Sequence, residues 1–194
     1  KTLYINTGGN SDALRGKDCQ RYMFHVESQN SMYVKTVGRS LLRDGLVKGK
    51  KWYSLTADYA FGHDLLKVSK RFMEANGGQF AGDDLVPTDA ADFSAYLLKI
   101  REAKPDLVAI NLAGNQTTNF LKQYAEFGLT IPVGGFGFDT ALAWAAGKGN
   151  FVGTWPVVWH HLIDTPGSKA FVAAFTKKYN KPPENQAWGD YISM

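Results

Sequence analysis

Cysteine, metal-binding motifs and long apolar runs are scarce in this sequence, and each scarcity argues against a class of protein. The single cysteine, Cys19, argues against a thiolate metal site and against a disulfide framework within the chain. His160 and His161 are consecutive, so on a strand they would point to opposite faces, and no His-Glu-x-x-His motif accompanies them. No apolar run approaches the ~20 residues of a membrane-spanning helix. The sequence therefore indicates neither a metal site nor a membrane span.

Motifs of the common enzyme classes are also missing. The chain has no Gly-x-Ser-x-Gly elbow for a nucleophilic serine. Gly16-Lys17 lacks the glycine spacing and the following Ser or Thr of a phosphate-binding P-loop, and Gly135-x-Gly137 lacks the third glycine of a dinucleotide fingerprint. We therefore expect a protein that is not an enzyme and that needs no cofactor.

Charge does not point to a nucleic-acid partner. The net charge is +4, from 22 lysines and arginines against 18 acidic residues, and the basic residues are scattered. Nucleic-acid binding requires a basic face with interleaved aromatics, which is not evident here. The length of 194 residues and the hydrophobic fraction of 44% allow one substantial domain or two small lobes.

Residues 51–62, with the sequence KWYSLTADYAFG, are the most informative stretch. An apolar β-type run is followed by a short polar turn and then by helical spacing. The carboxyl end of a strand in an open α/β sheet is where ligands bind. Tyr59 and Phe61 lie in this turn, and two aromatics beside a helix start suggest a pocket wall. The alternative is that these rings fold back onto the sheet.

Strand-like and helix-like patterns alternate along the whole chain. The predicted strands are residues 3–6, 22–26, 52–56, 79–86, 106–113, 131–133 and 151–159. Repeated strand–helix units favour right-handed βαβ crossovers and an α/β fold with a doubly wound parallel sheet. We expect about five parallel strands between Trp52 and Thr154, with helices on both faces.

The unusual loop residues all follow predicted strands, which predicts one shared site at the carboxyl edge of the sheet. The candidate ligand-binding residues are Gly9, Asn10, Ser11, Tyr59, Phe61, Asn115, Phe136 and Phe138. Ser11 and Asp12 are predicted to cap a short turn whose N–H groups would favour an anion. A plain polar turn is the alternative reading of that loop. Asp139 is predicted to cap a short helix.

Four further motifs occur in order at compatible spacings. They are DYAFG at 58–62, the pair Gly77-Gly78, DFSAYL at 92–97 and AEFGL at 125–129. Together they resemble the type I periplasmic solute-binding proteins that serve ABC transporters of the branched-chain amino acid class. The chain is most similar to a subgroup that carries NTG, SDAL, DC and FH, found here at 6–8, 11–14, 18–19 and 24–25. The resemblance covers nearly the whole chain.

The resemblance implies a two-lobed protein of which this chain is a fragment. Residues 1–26 would be a remnant of lobe 1, residues 27–156 would form lobe 2, and residues 157–194 would return to lobe 1. The solute would be bound between the lobes by hinge closure and handed to a membrane-bound ABC permease, outside the cytoplasm. A ligand-sensing domain of a regulator is the alternative. Cys19 would pair with a cysteine in the missing part or remain free.

The resemblance also bears on the ligand. Family members hold a carboxylate on the glycine loop, and amino-acid binders add an acidic partner for the ammonium group from the loop around Phe136. Here that loop reads Gly-Phe-Gly-Phe, with Asp139 displaced toward the helix start. Burial of an ammonium group without a carboxylate partner costs several kcal/mol. We therefore expect a small carboxylate with an aromatic or apolar body, with a branched-chain amino acid as the alternative.

Overall fold

The computed structural model describes residues 2–194, so Lys1 of the predicted 1–26 segment lies outside the described residues. The strands are β1 (Tyr4–Asn6), β2 (Met23–His25), β3 (Lys51–Ala57), β4 (Gln79–Val86), β5 (Leu107–Asn111) and β6 (Val133–Gly135). The helices are α1 (Asn30–Arg43), α2 (Ala60–Ala75), α3 (Ser94–Ala103), α4 (Asn115–Glu126), α5 (Thr140–Ala146), α6 (Pro166–Tyr179) and α7 (Asn185–Ile192). A 3₁₀ turn spans Asp12–Arg15. Within residues 2–194 no helix is both long enough and apolar enough to cross a membrane.

The main sheet has the strand order β4-β3-β5-β6, and all its neighbours run parallel. Thr154 adds a single parallel bridge to Gly134 at the β6 edge. The predicted strand over residues 151–159 is therefore wrong except at this bridge. Gly153 has a positive φ of 100° just before the bridge, and Pro156, which has no N–H, follows shortly after it. Four full strands form where about five were expected.

Helices cover both faces of this sheet. One core joins α1 and α2 to the sheet face that carries Trp52 and Ala109. The other core joins α3 and α4 to the face that carries Leu55 and Ile110. Successive residues of a strand point to opposite faces, and the central strands β3 and β5 are buried on both, with the polar side chains of Ser54, Thr56 and Asn111 hydrogen-bonded to one another. The predicted doubly wound α/β fold is confirmed.

The order of the strands creates a crevice at the carboxyl ends of β3 and β5. The chain leaves β3 through α2 toward β4 on one side, and it leaves β5 through α4 toward β6 on the other. In open α/β sheets, ligands bind in the crevice at the carboxyl ends of the strands, at the position where the strand order reverses. Gly62 allows α2 to begin close against β3, because a Cβ there would clash with the carbonyl oxygen of Ala57.

A second, two-stranded parallel sheet pairs β1 with β2, with Asn6 opposite His25. Most of its apolar side chains remain exposed, including Tyr4 at 54% and Phe24 at 56%. The C-terminal helices α6 and α7 contact each other through aromatic rings, with Phe171 stacked on Tyr191 at a centroid distance of 4.5 Å, and Trp159, which precedes α6, stacks on Trp188 at 4.9 Å. The pair Thr165-Pro166 predicts a helix start, and α6 begins there, with the Thr165 side chain accepting from the N–H of Ser168 and a proline as the first helical residue.

Candidate functional site

A cleft of about 880 Å³ lies at the carboxyl edge of the main sheet. Its walls come from residues 8–14 and 16–18 after β1, from the start of α2, from Ala113 and Gly114 after β5, from residues 137–139 after β6, and from Gln186 on α7. The loops that follow four different strands therefore meet in one place. This arrangement matches the single shared site that the sequence predicted, although not every predicted residue lines it.

Aromatic rings form one wall of the cleft. Tyr59 and Phe61 stack with their ring centroids 5.8 Å apart, and Tyr59 is 41% exposed. Phe138 lines the cleft as well and is held by Phe151 and Trp155, at centroid distances of 5.2 and 5.7 Å. Burial raises the pKa of Tyr59, so its hydroxyl stays protonated at neutral pH and can donate a hydrogen bond.

The glycine loop after β1 is tied internally. The Asn6 side chain accepts from the N–H of Gly9 at 2.7 Å and donates to the carbonyl oxygen of Gly9 at 2.7 Å. Asn10 donates its side-chain amide to the carbonyl of Ser28 at 2.9 Å, at the start of α1. Ser11 caps the 3₁₀ turn, where its Oγ accepts from the N–H of Ala13. The predicted capping role of Ser11 is confirmed.

These hydrogen bonds determine which donors of the loop remain available to a ligand. The amide of the Asn10 side chain is engaged at the start of α1, with a second bond of 3.3 Å to the hydroxyl of Tyr33. The backbone N–H of Asp12 is donated to the carboxylate of Asp64. Within residues 2–194 no hydrogen bond joins the backbone N–H of Asn10 or of Ser11. These two N–H groups and the Ser11 hydroxyl remain as donors.

Two predicted site residues do not line the cleft. Phe136 is fully buried and packs against Trp52 in the core beneath α1 and α2, at a centroid distance of 5.9 Å. Its side chain takes the inward position just after β6, while Phe138 two residues later reaches the cleft. Asn115 is exposed as the first residue of α4, and Gly114 before it lines the cleft instead. Neither side chain contributes to the walls of this cleft.

The side chain of Asp139 has other hydrogen-bond partners than the sequence predicted. It precedes α5, but its side chain makes no capping hydrogen bond. Its Oδ1 instead accepts from the side-chain amides of Asn185, at 3.0 Å, and Gln186, at 2.8 Å, on α7. The predicted capping role is therefore wrong. The carboxylate lines the cleft, and its Oδ2 makes no hydrogen bond with residues 2–194.

Sequence reasoning missed two residues that shape the cleft, Tyr33 and Asp64. Tyr33 donates its hydroxyl to the buried carboxylate of Glu27 at 2.8 Å, and burial together with that carboxylate raises the pKa of Tyr33 well above its usual range. Asp64 accepts from the backbone of Asp12 and from the Asn30 side chain, both at 2.8 Å. Both residues lie within helical patterns, and nothing local marks them as functional.

The charges along the cleft are mixed. The acidic lining residues are Asp12, Asp18, Asp64 and Asp139, and the lysines are Lys17 and Lys67. In residues 2–194 no group of three His, Cys, Asp or Glu side chains is placed to share a metal ion. His160 and His161 are not on a strand, and their rings lie 4.2 Å apart. The thiol of Cys19 is free and exposed in the described part of the chain.

Comparison with solved structures gives close matches. A periplasmic binding protein from Burkholderia mallei has 30% identity and a TM-score of 0.89, over 98% of this chain and 50% of that one. A solute-binding protein of an ABC transporter from Rhodopseudomonas palustris BisB5, in complex with 3,4-dihydroxybenzoic acid, has 27% identity and a TM-score of 0.85, over 99% and 53%. A branched-chain amino acid ABC transporter ligand-binding protein from Burkholderia xenovorans LB400 has 29% identity and a TM-score of 0.83, over 98% and 51%.

The family assignment rests on sequence and structure together. No curated protein matches the chain. The chain spans about half the length of the solved structures that it matches. The sequence model of the periplasmic binding protein family matches residues 1–194, which is the whole chain. With the doubly wound sheet and the cleft at its carboxyl edge, this match shows that the chain belongs to the periplasmic binding proteins of type I, the solute-binding proteins of ABC transporters.

Proposed function

We propose that this chain is part of an extracytoplasmic solute-binding protein that captures a small molecule and delivers it to an ABC permease. The observation that carries the proposal is the cleft itself. Residues that precede the main sheet, from Gly8 to Asp18, face loops at the carboxyl edge of that sheet across about 880 Å³. That volume lies within the range of small-molecule sites. A regulator would use the same fold, but two of the three solved neighbours described above are named as binding proteins of ABC transporters.

The proposed domain arrangement follows the path of the chain. Residues 1–26 and 157–194 belong to one lobe, and residues 27–156 form the other, with crossings near Val26 and Pro156. The exposed apolar side chains of β1 and β2 support this arrangement, because the rest of a lobe would cover them. Few covalent links join the lobes, so hinge closure over a solute costs little. Scattering should show a smaller radius of gyration with bound solute than without it.

The proposed ligand is a small carboxylate with an aromatic body. Tyr59, Phe61 and Phe138 offer flat apolar surface on the cleft wall. The free N–H groups of Asn10 and Ser11 lie on the loop that faces this wall, and backbone N–H groups suit a carboxylate. The Rhodopseudomonas palustris neighbour, which is bound to 3,4-dihydroxybenzoic acid, supports this ligand class.

A branched-chain amino acid is the second candidate, and Asp139 favours it. Its carboxylate lines the cleft, and Oδ2 makes no hydrogen bond with residues 2–194. This oxygen is therefore available to accept a hydrogen bond from an ammonium group. Four acidic residues against two lysines in the lining also favour a ligand that carries a positive charge. The Burkholderia xenovorans neighbour, described as a branched-chain amino acid transporter protein, points the same way.

Calorimetry with four compounds tests both candidates. Benzoate, 3,4-dihydroxybenzoate, leucine and valine are titrated into the protein and into its Asp139→Asn variant. The first proposal expects binding of an aromatic acid, with affinity unchanged or raised in the variant because a nearby negative charge is removed. The second expects binding of leucine or valine, weakened about tenfold or more when the ammonium partner is lost. If none of the four binds, the proposed ligand classes are wrong.

The partner and the location are tested separately. Cell fractionation should place the protein outside the cytoplasm, and deletion of its gene should abolish uptake of the solute that calorimetry identifies. A cytoplasmic location with uptake unchanged would favour the sensor alternative and contradict the transport proposal.

A further inference from the structure

The side chains of Asn6 and His25 form a pair behind the glycine loop. Asn6 ends β1 and His25 ends β2, and the two residues are in register. The Asn6 side chain is almost fully buried, and its Nδ2 lies 2.8 Å from Nδ1 of His25. Neither residue lines the cleft. The ligand proposal therefore leaves both without a role, although both belong to the sequence motifs at 6–8 and 24–25.

The orientation of the Asn6 amide is fixed from the other side by Gly9. Oδ1 accepts the N–H of Gly9 at 2.7 Å, and Nδ2 donates to its carbonyl oxygen at 2.7 Å. Rotation of the amide by 180° would place a donor against the N–H and an acceptor against the carbonyl. Both bonds would be lost, so the amide has one possible orientation.

This orientation fixes the tautomer of His25. Nδ2 of Asn6 is a donor, so Nδ1 of His25 must accept, and the proton of the neutral ring must lie on Nε2. His25 thereby holds the amide from behind while the amide holds both backbone groups of Gly9 in front. Position 9 is equally constrained, because a Cβ there would lie 2.9 Å from Oδ1 of Asn6 and 3.0 Å from Cδ1 of Leu14.

We infer that Asn6 and His25 are positioning residues for the ligand-binding loop, with His25 acting as an obligatory hydrogen-bond acceptor. The pair holds Gly9, and Gly9 sets the direction of the next two N–H groups, those of Asn10 and Ser11. A packing role alone would need only the volume of the imidazole ring. A positioning role needs the acceptor at Nδ1. The consequence for a ligand rests on the proposed function, but the arrangement of the loop does not.

Two variants separate these roles. His25→Asn places an amide oxygen on Cγ, at the position of Nδ1, so the acceptor is kept although the ring is lost. His25→Leu keeps apolar volume and loses the acceptor. Amide hydrogen exchange at Gly9, measured by NMR on labelled protein, reports on the loop without any ligand. The N–H of Val108, which donates to the carbonyl of Pro132 in the main sheet, is the internal reference.

We expect exchange at Gly9 to rise about tenfold in His25→Leu, as loss of a supporting hydrogen bond allows. In His25→Asn it should stay within about twofold of the wild type, while Val108 is unchanged in both. Equal exchange at Gly9 in the Leu variant and the wild type overturns the inference, as does exchange in His25→Asn as fast as in the Leu variant. The nitrogen chemical shifts of His25 give a check that needs no variant, since a proton on Nδ1 in the wild type would also overturn it.

A benzoate and leucine titration of the same three proteins keeps this inference apart from the proposed function. If the wild type binds either compound, affinity should fall in His25→Leu and recover in His25→Asn. Unchanged affinity in the Leu variant overturns the inference. If the wild type binds neither of these nor 3,4-dihydroxybenzoate or valine, the ligand proposal fails while the exchange data still decide whether the pair positions the loop.

Discussion

The carboxylate of Asp64 accepts the backbone N–H of Asp12 at 2.8 Å, across 52 positions of sequence. The same oxygen accepts the side-chain amide of Asn30 at 2.8 Å. Asp64 lies on α2 beside the main sheet, and Asp12 begins the 3₁₀ turn that follows the glycine loop. One side chain therefore joins the two walls of the cleft.

Replacement of Asp64 by Ala should destabilise the protein by about 1–3 kcal/mol. The side-chain amide of Asn30, which is fully buried, and the backbone N–H of Asp12 would both lose their charged acceptor. Urea denaturation measures the change. Asp58→Ala is the matched control, because Asp58 pairs with His63 at the surface and such pairs contribute less than about 1 kcal/mol. Equal losses in the two variants would show that Asp64 does not join the walls.

Strand and helix patterns were enough to predict the fold. The apolar run at 106–113 gave β5, whose residues are all buried, and the helix start at Pro166 followed from Thr-Pro. These features are local, since side-chain periodicity and caps depend on neighbours in sequence. The predicted strand at 151–159 pairs only at Thr154, because Gly153 has a positive φ and Pro156 lacks the N–H that a longer ladder needs.

The site was predicted less completely, for a physical reason. Its location at the strand ends follows from topology, but the direction of each side chain does not. Phe136 and Phe138 look alike in sequence, but the chain bends at residues 136 and 137 after β6 ends, so Phe136 stays in the core and Phe138 reaches the cleft. The partners of Asp139 on α7 lie 46 and 47 positions away, so no local pattern indicates them.

Truncation of Tyr59 should lower ligand affinity, whereas truncation of Phe136 should lower the stability of the fold. Tyr59→Ala removes one ring of the cleft wall and should weaken binding of an aromatic acid by about tenfold, a typical loss for an aromatic contact. Stability should change little, since the ring is 41% exposed. Calorimetry measures the affinity. Phe136→Ala should instead cost about 3–5 kcal/mol of stability, the range for a buried phenylalanine.

Urea denaturation of both variants provides the cross-check. A large stability loss in Tyr59→Ala would mean that this ring supports the fold, and the alternative in which it folds back on the sheet would then be favoured. A small loss in Phe136→Ala would contradict its placement in the core.

Gly137 controls the position of the Phe61 ring. A Cβ at Gly137 would lie 2.6 Å from Cζ of Phe61, so Gly137→Ala should push the ring out of its present place on the cleft wall. We expect weaker binding of the aromatic acid and a stability loss of about 1–3 kcal/mol from overpacking. Calorimetry and urea denaturation measure the two effects.

The control for this substitution is Gly167→Ala, since a Cβ there meets no atom within 4 Å. Gly167 lies in the first turn of α6, where Ala should leave stability unchanged or raise it by up to about 1 kcal/mol. A double variant that adds Phe61→Leu to Gly137→Ala should recover much of the lost stability, because the smaller side chain relieves the contact. If the stability losses of Gly137→Ala and Phe61→Leu simply add in the double variant, the contact between the two residues is not the cause of the loss in Gly137→Ala.

Alkaline pH should destabilise the protein through its buried tyrosines. Burial raises the pKa of Tyr124 to about 12, and burial also raises the pKa of Tyr33 and of Tyr53 above the usual range. An unfolded tyrosine ionises near pH 10. Between about pH 10 and 12 the unfolded state therefore holds fewer protons than the folded state, and the free energy of unfolding falls as pH rises. Below pH 10 this contribution is fully present.

Tyr124→Phe tests the assignment. The variant loses the hydrogen bond from the Tyr124 hydroxyl to the carbonyl of Ile131, so it should be about 1 kcal/mol less stable at neutral pH. It should then lose stability less steeply than the wild type above pH 10, because one proton-retaining group is gone. Tyr179→Phe, at an exposed position of α6, should follow the wild-type curve. Urea denaturation from pH 8 to about pH 11.5 gives all three curves, and parallel curves for wild type and Tyr124→Phe would contradict the role of this buried phenol.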